Sequence, residues 1–415
     1  MPLAFMYSGI IGGVIMTVFC IGVLIYGIQL LIMCMVESSR RNNVGYMTYH
    51  ETMVYAFSEG PKCCRWFSKG SGYMVDLILG FSHYGVCVVY LVFVSVNMKQ
   101  FVDEHFSKID LRIMIAIIGI FCIPLFLLRQ LKYLVPGNIL ASVLILAGLL
   151  AIFWYFFRGL PSITERAVLV KPAELYQIPF ALGIVLFATS SVGVMLAIES
   201  KMGKPGDYIG WFGVLNIASI FIIVLNVIFG LVGFWRYGCN TEASVTLNIP
   251  VEEALAQIIK LSIAIAIFLS YPLSGYVTIS IIMIYVLKRE VKNPHMIEYI
   301  IRVAFVILST LNAIALPNLG PLLALVGTFS ISLLNLVFPC CIELCLIYQD
   351  SYGKLLWKLW KNILMILFGL LIFFYGSYRA FVDIIEEYGE SKGDTTTEKP
   401  TTTTVSLTTK LEAYL

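Results

Sequence analysis

Two polar runs interrupt segments that are otherwise apolar, and they contain the residues best suited to hold a solute. The first run is Phe187-Ala-Thr-Ser-Ser-Val-Gly193, which combines Thr189, Ser190 and Ser191 with a glycine. Hydroxyl groups at a helix break can satisfy freed backbone groups and face the carboxylate of a small solute. The alternative is that these small residues only allow neighbouring helices to pack closely.

The second run is Ser270-Tyr-Pro-Leu-Ser-Gly-Tyr276, where Pro272 and Gly275 weaken a helix at its centre. A break at this point would free further backbone groups. A proline in an apolar helix can also produce only a kink, because neighbouring groups satisfy the backbone around it. Both interpretations stay open at this position.

His83 is the histidine that lies inside an apolar segment. The charge of an imidazole changes near neutral pH, so His83 is a candidate for proton coupling. The alternative is a neutral imidazole that is hydrogen-bonded to a neighbouring helix. His50, His105 and His295 are predicted to lie in loops and to form no metal-like pairing with carboxylates.

Four charged side chains lie near the ends of apolar segments, namely Asp76, Glu199, Lys260 and Glu343. Groups near the membrane interface reach water at little cost, so we expect a structural or gating role for them. Glu343 is the gate candidate among the four. The sequence has no nucleophile–histidine–acid set, phosphate-binding loop or zinc-spaced cysteine pairs, so we predict no enzyme, no metal and no cofactor.

The composition of the chain indicates a protein that is solvated by lipid. Its 415 residues are 59% hydrophobic and 13% charged, and the mean hydropathy is +0.89. Ordinary soluble chains carry about 25% charged residues, so a soluble domain could not cover this much apolar surface. The net charge of +3, without a basic patch interleaved with aromatic residues, excludes nucleic acid as a partner.

Ten apolar segments are long enough to cross a bilayer, which takes about 20 residues per helix. They lie at about residues 8–36, 72–98, 111–131, 134–157, 177–198, 210–234, 258–287, 299–316, 322–347 and 362–382. The loops that follow the odd-numbered segments hold about twice as many lysines and arginines as the other loops, which predicts that they are cytosolic. Both termini then lie outside the cell or in an organelle lumen.

The two ends of the chain differ from the segments between them. Met1 would start on the far side of the membrane with no polar leader, so we expect a tail and one helix to precede it. Residues 1–382 are predicted to form the transmembrane core. Residues 383–415 are polar and rich in threonine, and because they cannot bury a core we predict a disordered luminal or extracellular tail.

The most distinctive stretch of the chain is Ser244-Val-Thr-Leu-Asn-Ile-Pro250, which is followed by Gln257-Ile-Ile-Lys260. Together with Gly183-Ile-Val-Leu-Phe187 and the passage from Ala315 to Pro339, it resembles the proton-coupled amino acid transporters. These transporters are a branch of the amino acid/auxin permease family. The resemblance covers about residues 1–382.

The resemblance implies an all-α polytopic membrane protein with the inverted-repeat, APC/LeuT-like transporter architecture. Family members have eleven helices, so the ten segments would be helices two to eleven, with the first family helix missing from this chain. In the family, the helix that contains Ser270–Tyr276 faces the central break. The resemblance therefore implies a substrate pocket lined by Phe187, Thr189, Ser190, Ser191, Gly193, Tyr271, Ser274 and Tyr276.

The sequence departs from the family pattern at the central break. Family members have Phe-Glu-Gly-Ile-Gly there, whereas Ser190 and Ser191 replace the glutamate and the first glycine, and Ala197 replaces a usual proline. An acidic side chain at the midplane is a natural proton carrier, and this chain lacks it at the break. The resemblance alone therefore supplies no proton-carrying group at this point.

The function that the resemblance implies is secondary active transport of small neutral amino acids, coupled to protons, by alternating access. The predicted pocket has no charged side chain, which favours a zwitterion held by backbone dipoles over a cationic amino acid. The alternative is a transporter-like amino acid sensor, a regulatory membrane protein with little or no transport. Family members occupy endolysosomal (vacuolar) or plasma membranes, and either location is expected here.

Overall fold

The computed structural model describes residues 1–106, 108–129, 131–161, 175–189, 213–250, 252–288, 293–348, 352–353 and 356–393. All regular structure within these ranges is helical. In chain order the helices are α1 (Pro2–Ser8), α2 (Ile10–Arg41), α3 (Tyr49–Glu59), α4 (Lys62–Arg65), α5 (Ser68–His105), α6 (Leu111–Phe126), α7 (Leu131–Phe157), α8 (Ile178–Ala188), α9 (Val214–Tyr237), α10 (Val245–Asn248), α11 (Ala254–Leu287), α12 (Pro294–Ala315), α13 (Leu319–Ile347) and α14 (Trp357–Leu371, continued by Ile372–Gly376 and Ser377–Gly393).

The predicted membrane segments correspond to helices of the structure, which confirms an all-α polytopic protein. Eight helices in the described ranges are long and apolar enough to cross a membrane, namely α2, α5, α7, α9, α11, α12, α13 and α14. Two shorter apolar helices, α6 and α8, account for the remaining two segments. The last helix continues to Gly393, past the predicted core boundary at residue 382. Residues 394–415 of the predicted tail lie outside the described residues.

Helix α13 forms the centre of the bundle. In its most apolar stretch 83% of the residues are buried, whereas the other seven long helices range from 22% to 56%. Its middle contains two π-helical segments, Gly327–Ile331 and Leu333–Val337, whose turns are wider than those of an α-helix. The central helix of this bundle is therefore also the one with the least regular backbone hydrogen bonding.

Glycines allow neighbouring helices to come close to α13. A Cβ atom at Gly27 of α2 would overlap the carbonyl oxygen of Asn335, and one at Gly327 would overlap the carbonyl oxygen of Gly183 in α8. A Cβ atom at Gly85 of α5 would lie 2.7 Å from the Val326 side chain. Lipid tails are as apolar as leucine, so close van der Waals contact of this kind drives helix association in a membrane.

Helix α3 lies in a stretch that was expected to be a loop. A capping box starts it, because the Thr48 hydroxyl accepts from the Glu51 amide and the Glu51 carboxylate accepts from the Thr48 amide. The Thr-x-x-Glu spacing of Thr48 and Glu51 is the sequence pattern that indicates a helix start here. The expectation of loop histidines is also wrong, since His50 lies in α3, His105 ends α5 and His295 lies in the first turn of α12.

One end of the bundle carries the basic side chains Arg40, Arg41, Lys62, Arg65 and Lys288, and we call it the basic end. Helices α2, α11 and α13 finish there, and α5 and α14 begin there. Helix α3 contacts α2, α5 and α13 at this end, and Arg41 Nη1 donates to the Leu346 carbonyl oxygen at 3.0 Å. We call the other side of the bundle the opposite end.

The contact of Gly27 with α13 leads to a prediction about stability. Gly27→Ala places a methyl group against the backbone of Asn335 and should lower the free energy of unfolding by about 1–3 kcal/mol. Gly22→Ala in the same helix is the control, because a Cβ atom there meets nothing within 4 Å. The control should be neutral or stabilising by about 0.5–1 kcal/mol. Thermal unfolding of the detergent-solubilised chain measures both, and equal unfolding temperatures would contradict the close contact.

Candidate functional site

Helix α8 ends where the first polar run begins. The helix runs from Ile178 to Ala188, and the Thr189 hydroxyl turns back to the carbonyl oxygens of Val185 at 2.9 Å and Leu186 at 3.2 Å. Phe187 is partly buried against the cluster formed by α5, α6, α11 and α12. The predicted pocket residues Ser190, Ser191 and Gly193 lie outside the described residues.

The last turns of α8 lie beside the π-helical part of α13. Leu186 packs in one cluster with Ile331 and Leu336, after the close crossing at Gly183 and Gly327. This stretch of α13 is buried and yet polar, with Thr328, Ser330, Ser332 and Asn335 all at most 1% exposed. The last turns of α8 therefore make apolar contacts with a stretch of the central helix that also contains buried polar side chains.

Two of these polar side chains have no hydrogen-bond partner among the residues that the structure describes. They are Ser330, through its hydroxyl, and Asn335, through both its amide oxygen and its amide nitrogen. Burying such a group without a partner costs about 1–3 kcal/mol. Neither side chain was in the predicted pocket, although Asn335 is visible in the sequence as a polar residue in an apolar segment.

The second polar run does not break its helix. Helix α11 is continuous from Ala254 to Leu287 with Pro272 inside it. The Tyr271 hydroxyl lies 2.7 Å from the Ser309 hydroxyl of α12, and its ring meets Phe126 of α6 edge-on. These contacts direct Tyr271 toward α6 and α12 and not toward the end of α8.

The other two α11 candidates occupy different surroundings. Ser274 is half-buried and hydrogen-bonds to Tyr90 of α5. Tyr276 is half-buried. The described residues therefore place Phe187 and Thr189 at the end of α8, whereas Tyr271 bonds to α12 and Ser274 bonds to α5. Phe187 packs against the same apolar cluster that contains Tyr271.

His83 lies in the middle of α5, where that helix contacts α13. Its neighbours along α5 make the contact, with Phe81 edge-on to Phe329 and Gly85 against Val326. The His83 Nδ1 atom is buried and has no hydrogen-bond partner within the described ranges. No ion pair joins His83 to a carboxylate within the described part of the chain.

Glu343 is part of a buried polar cluster at the basic end of α13. Its carboxylate accepts from Lys361 at 2.7 Å and from Asn362 at 2.8 Å, both on α14. The same ammonium group of Lys361 donates to the Tyr26 hydroxyl of α2 at 2.6 Å. The gate candidate thus connects three helices, and its two α14 partners were not identified from the sequence.

Lys260 is buried, although a charged group near a helix end was expected to reach water. It is 2% exposed, and its ammonium group donates to the Gln100 side-chain oxygen at 3.0 Å. This bond connects α11 to α5 near the opposite end of the bundle. Lys260 therefore has a packing role in addition to its charge.

A cavity of about 240 Å³ lies near the opposite end, between α7, α9 and α11. Its polar wall is formed by Glu242, Ser244 and Thr246, which belong to or precede the distinctive Ser-Val-Thr stretch. Its apolar wall includes Ile152, Phe229 and Ile263. None of the predicted pocket residues that the structure describes lines this cavity.

Comparison with known proteins identifies relatives along nearly the whole chain. Residues 1–382 match the family that is described as transmembrane amino acid transporter protein. The chain is 32% identical over 393 residues to the proton-coupled amino acid transporter-like protein pathetic of Drosophila melanogaster, covering 94% of this chain and 83% of that protein. It is also 21% identical over 412 residues to the probable amino acid transporter skat-1 of Caenorhabditis elegans, covering 94% of this chain and 87% of that protein.

The Glu343 cluster leads to a prediction that compares how much a buried ion pair and an exposed ion pair contribute to stability. The Glu343 and Lys361 side chains are only 12% and 17% exposed, so Lys361→Met should destabilise the protein by about 3–5 kcal/mol by leaving a buried carboxylate without its cation. The double variant Glu343→Gln with Lys361→Met should recover much of this loss, because it removes both charges.

Arg40→Met is the control, since the Arg40 side chain is 76% exposed in its pair with Glu37. It should change stability by about 1 kcal/mol or less. Thermal unfolding of the four proteins measures these differences. A Lys361→Met variant as stable as the Arg40→Met variant would contradict the assignment.

Proposed function

Since the chain belongs to the transmembrane amino acid transporter family and is an integral multi-pass membrane transporter rather than an enzyme, we propose that it carries small neutral amino acids together with protons. The mechanism in this proposal is alternating access, with the basic end of the bundle in the cytosol. That orientation follows from the excess of lysine and arginine in the loops of this end. An endolysosomal or a plasma membrane is the proposed location.

The observation that carries the proposal is the end of α8 beside the polar stretch of α13. A helix end inside an apolar bundle leaves backbone groups that need partners, because lipid offers none. Ser330 and Asn335 add polar side chains without partners to the same region. A polar solute that passes through this region supplies the missing hydrogen bonds, which supports a transport path between α8 and α13.

The proposed substrate is a zwitterion because the side chains assigned to the pocket are uncharged. Phe187, Thr189, Ser190, Ser191 and Gly193 are proposed to hold it at the α8 break, with backbone dipoles facing its charged ends. Ser274 and Tyr276 are proposed as the contribution of α11. The contacts of Tyr271 with Ser309 and Phe126 support a role in positioning α11.

Proton coupling is proposed from the name of the Drosophila relative and from His83. The relative is described as proton-coupled amino acid transporter-like, and this chain is 32% identical to it. His83 lies between Phe81 and Gly85, which contact α13, and no described residue bonds to its Nδ1 atom and holds it in one tautomer. An imidazole is the side chain whose charge ordinarily changes near neutral pH.

Glu343 is proposed as a gate residue at the basic end. Its ion pair with Lys361 holds α13 to α14, and the Tyr26 hydroxyl adds α2 to the same cluster. Movement of α13 relative to α14 would separate these charges inside the bundle. The pair therefore favours the arrangement that the structure shows.

The transport proposal is tested by the uptake of radiolabelled alanine, glycine and proline in oocytes that express the chain. Uptake should be saturable and higher at an outside pH of about 5.5 than at about 7.5, because protons enter with the substrate. Ser190→Leu should abolish uptake while surface expression stays unchanged, since an apolar side chain at the break removes a polar partner for the substrate. Surface protein without any uptake of these amino acids would favour the amino acid sensor instead.

The proton proposal is tested by changing the two histidines of α5. His83→Gln keeps a polar side chain but cannot be charged, so uptake should continue with a flat dependence on outside pH. His105→Gln at the exposed end of the same helix should leave the pH dependence as in the unmodified chain. Acid stimulation that survives His83→Gln would remove this residue from proton coupling.

A further inference from the structure

The first turn of α3 contacts α13 at the end of its polar stretch that lies nearest the basic end of the bundle. Tyr49 is 4% exposed, and its hydroxyl donates to the carbonyl oxygen of Leu334 at 2.7 Å. Leu334 lies in the second π-helical segment, next to the unpartnered Asn335. Tyr49 therefore separates this polar stretch from the water at the basic end.

A hydrogen-bond network connects the next residue of α3 to two long helices. His50 Nδ1 lies 2.7 Å from Asp76 Oδ2 of α5. The Tyr285 hydroxyl of α11 donates to the same carboxylate oxygen. The packing around His50 is tight, because a Cβ atom at Gly72 would lie 2.8 Å from the imidazole ring. Asp76 thus joins α3, α5 and α11 through one carboxylate.

Several titratable and aromatic groups surround His50. Helix α5 contributes Asp76 and the Tyr73 ring, and α11 contributes Tyr285, with the Lys288 ammonium over the Tyr285 ring at 5.5 Å. On α3 itself Glu51 is engaged in the capping box. The titratable groups of α2 and α13 that pack in the same cluster as Tyr49 are the Tyr26 phenol and the thiols of Cys34, Cys340, Cys341 and Cys345.

We propose that the first turn of α3 is the basic-end gate of the transport path, held closed by His50 and Tyr285 on Asp76. The proposal rests on the transport function proposed above. With the gate withdrawn, the Leu334 carbonyl group and the Asn335 amide become accessible to water, which then supplies the partners that they lack. The gate is distinct from the Glu343 cluster, because it joins α3 to α5 and α11 and not α13 to α14.

The hydrogen bonds on Asp76 set how firmly this gate is closed. Its carboxylate accepts from both His50 and Tyr285, and hydrogen bonds to charged groups are stronger than neutral ones. Loss of the carboxylate, or of either donor, therefore loosens the first turn of α3.

The gate is tested by hydrogen–deuterium exchange on the purified full chain, which does not depend on transport. The peptides that cover Tyr49–Glu59 are compared between the unmodified chain and its variants at one pH. Asp76→Asn should raise their exchange by about tenfold, since it removes a charged hydrogen-bond acceptor worth about 1.4 kcal/mol or more.

Two further variants and one control complete this test. His50→Leu and Tyr285→Phe should each raise exchange less than Asp76→Asn, because each removes one of the two hydrogen bonds to the carboxylate. Asp103→Asn breaks the pair with Lys99 near the opposite end of α5 and should leave α3 unchanged. Peptides from Leu319–Val326 report global unfolding and should stay protected. If Asp76→Asn does not fold, the exchange of the α3 peptides in Tyr285→Phe tests the gate in its place.

Unchanged α3 exchange in both Asp76→Asn and Tyr285→Phe would overturn the gate. Uptake measured beside exchange separates this failure from a failure of the transport proposal. An α3 turn that loosens as expected in a chain without any uptake would retain the mechanical element and reject transport. With transport present, Asp76→Asn should lower the steady-state accumulation of labelled amino acid severalfold.

Discussion

The close approach of α2 and α8 to the backbone of α13 is the contact on which the remaining architecture depends. Glycine at positions 27, 183 and 327 allows it, because any larger side chain would overlap a carbonyl group. In lipid, helices gain little from burying apolar surface, so such contacts supply much of the association energy. They bring the last turns of α8 beside the π-helical segments of α13. The buried polar side chains of these segments then form a polar region inside the bundle.

That polar region is bounded at the basic end by two different kinds of contact. The Glu343–Lys361 ion pair connects α13 to α14, whereas Tyr49 and His50 insert a short helix between α13, α5 and α11. Breaking a buried ion pair is costly because each charge loses its partner. A hydrogen-bonded turn at the surface can exchange its partners for water. The two contacts therefore suit different tasks, one holding helices together and the other separating reversibly.

The sequence was sufficient for the membrane helices because hydropathy and length are strong signals in lipid. It was sufficient for the end of α8, which coincides with Thr189. It did not indicate the π-helical segments of α13, because hydropathy and length do not distinguish a π-helical turn from an α-helical one. Tyr271 faces Ser309 rather than α8 because Pro272 leaves α11 continuous, and a proline alone does not distinguish a kink from a break. The pairing of His50 with Asp76 required the fold, because α3 returns to the bundle only through contacts distant in sequence.

The length of α5 has a mechanical consequence. Its 38 residues form a rod of about 57 Å, which exceeds the hydrocarbon thickness of about 30 Å. Gly85, where α5 contacts Val326 of α13, lies near the middle of α5. A tilt of about 10° about this point would move Asp76 by about 2 Å and Asp103 by about 5 Å in the other direction. In such a tilt, the displacement beside His50 is about doubled at the far end of α5, near the bond between Gln100 and Lys260. Because α5 is one continuous helix, a movement at one side of the membrane would reach the other side.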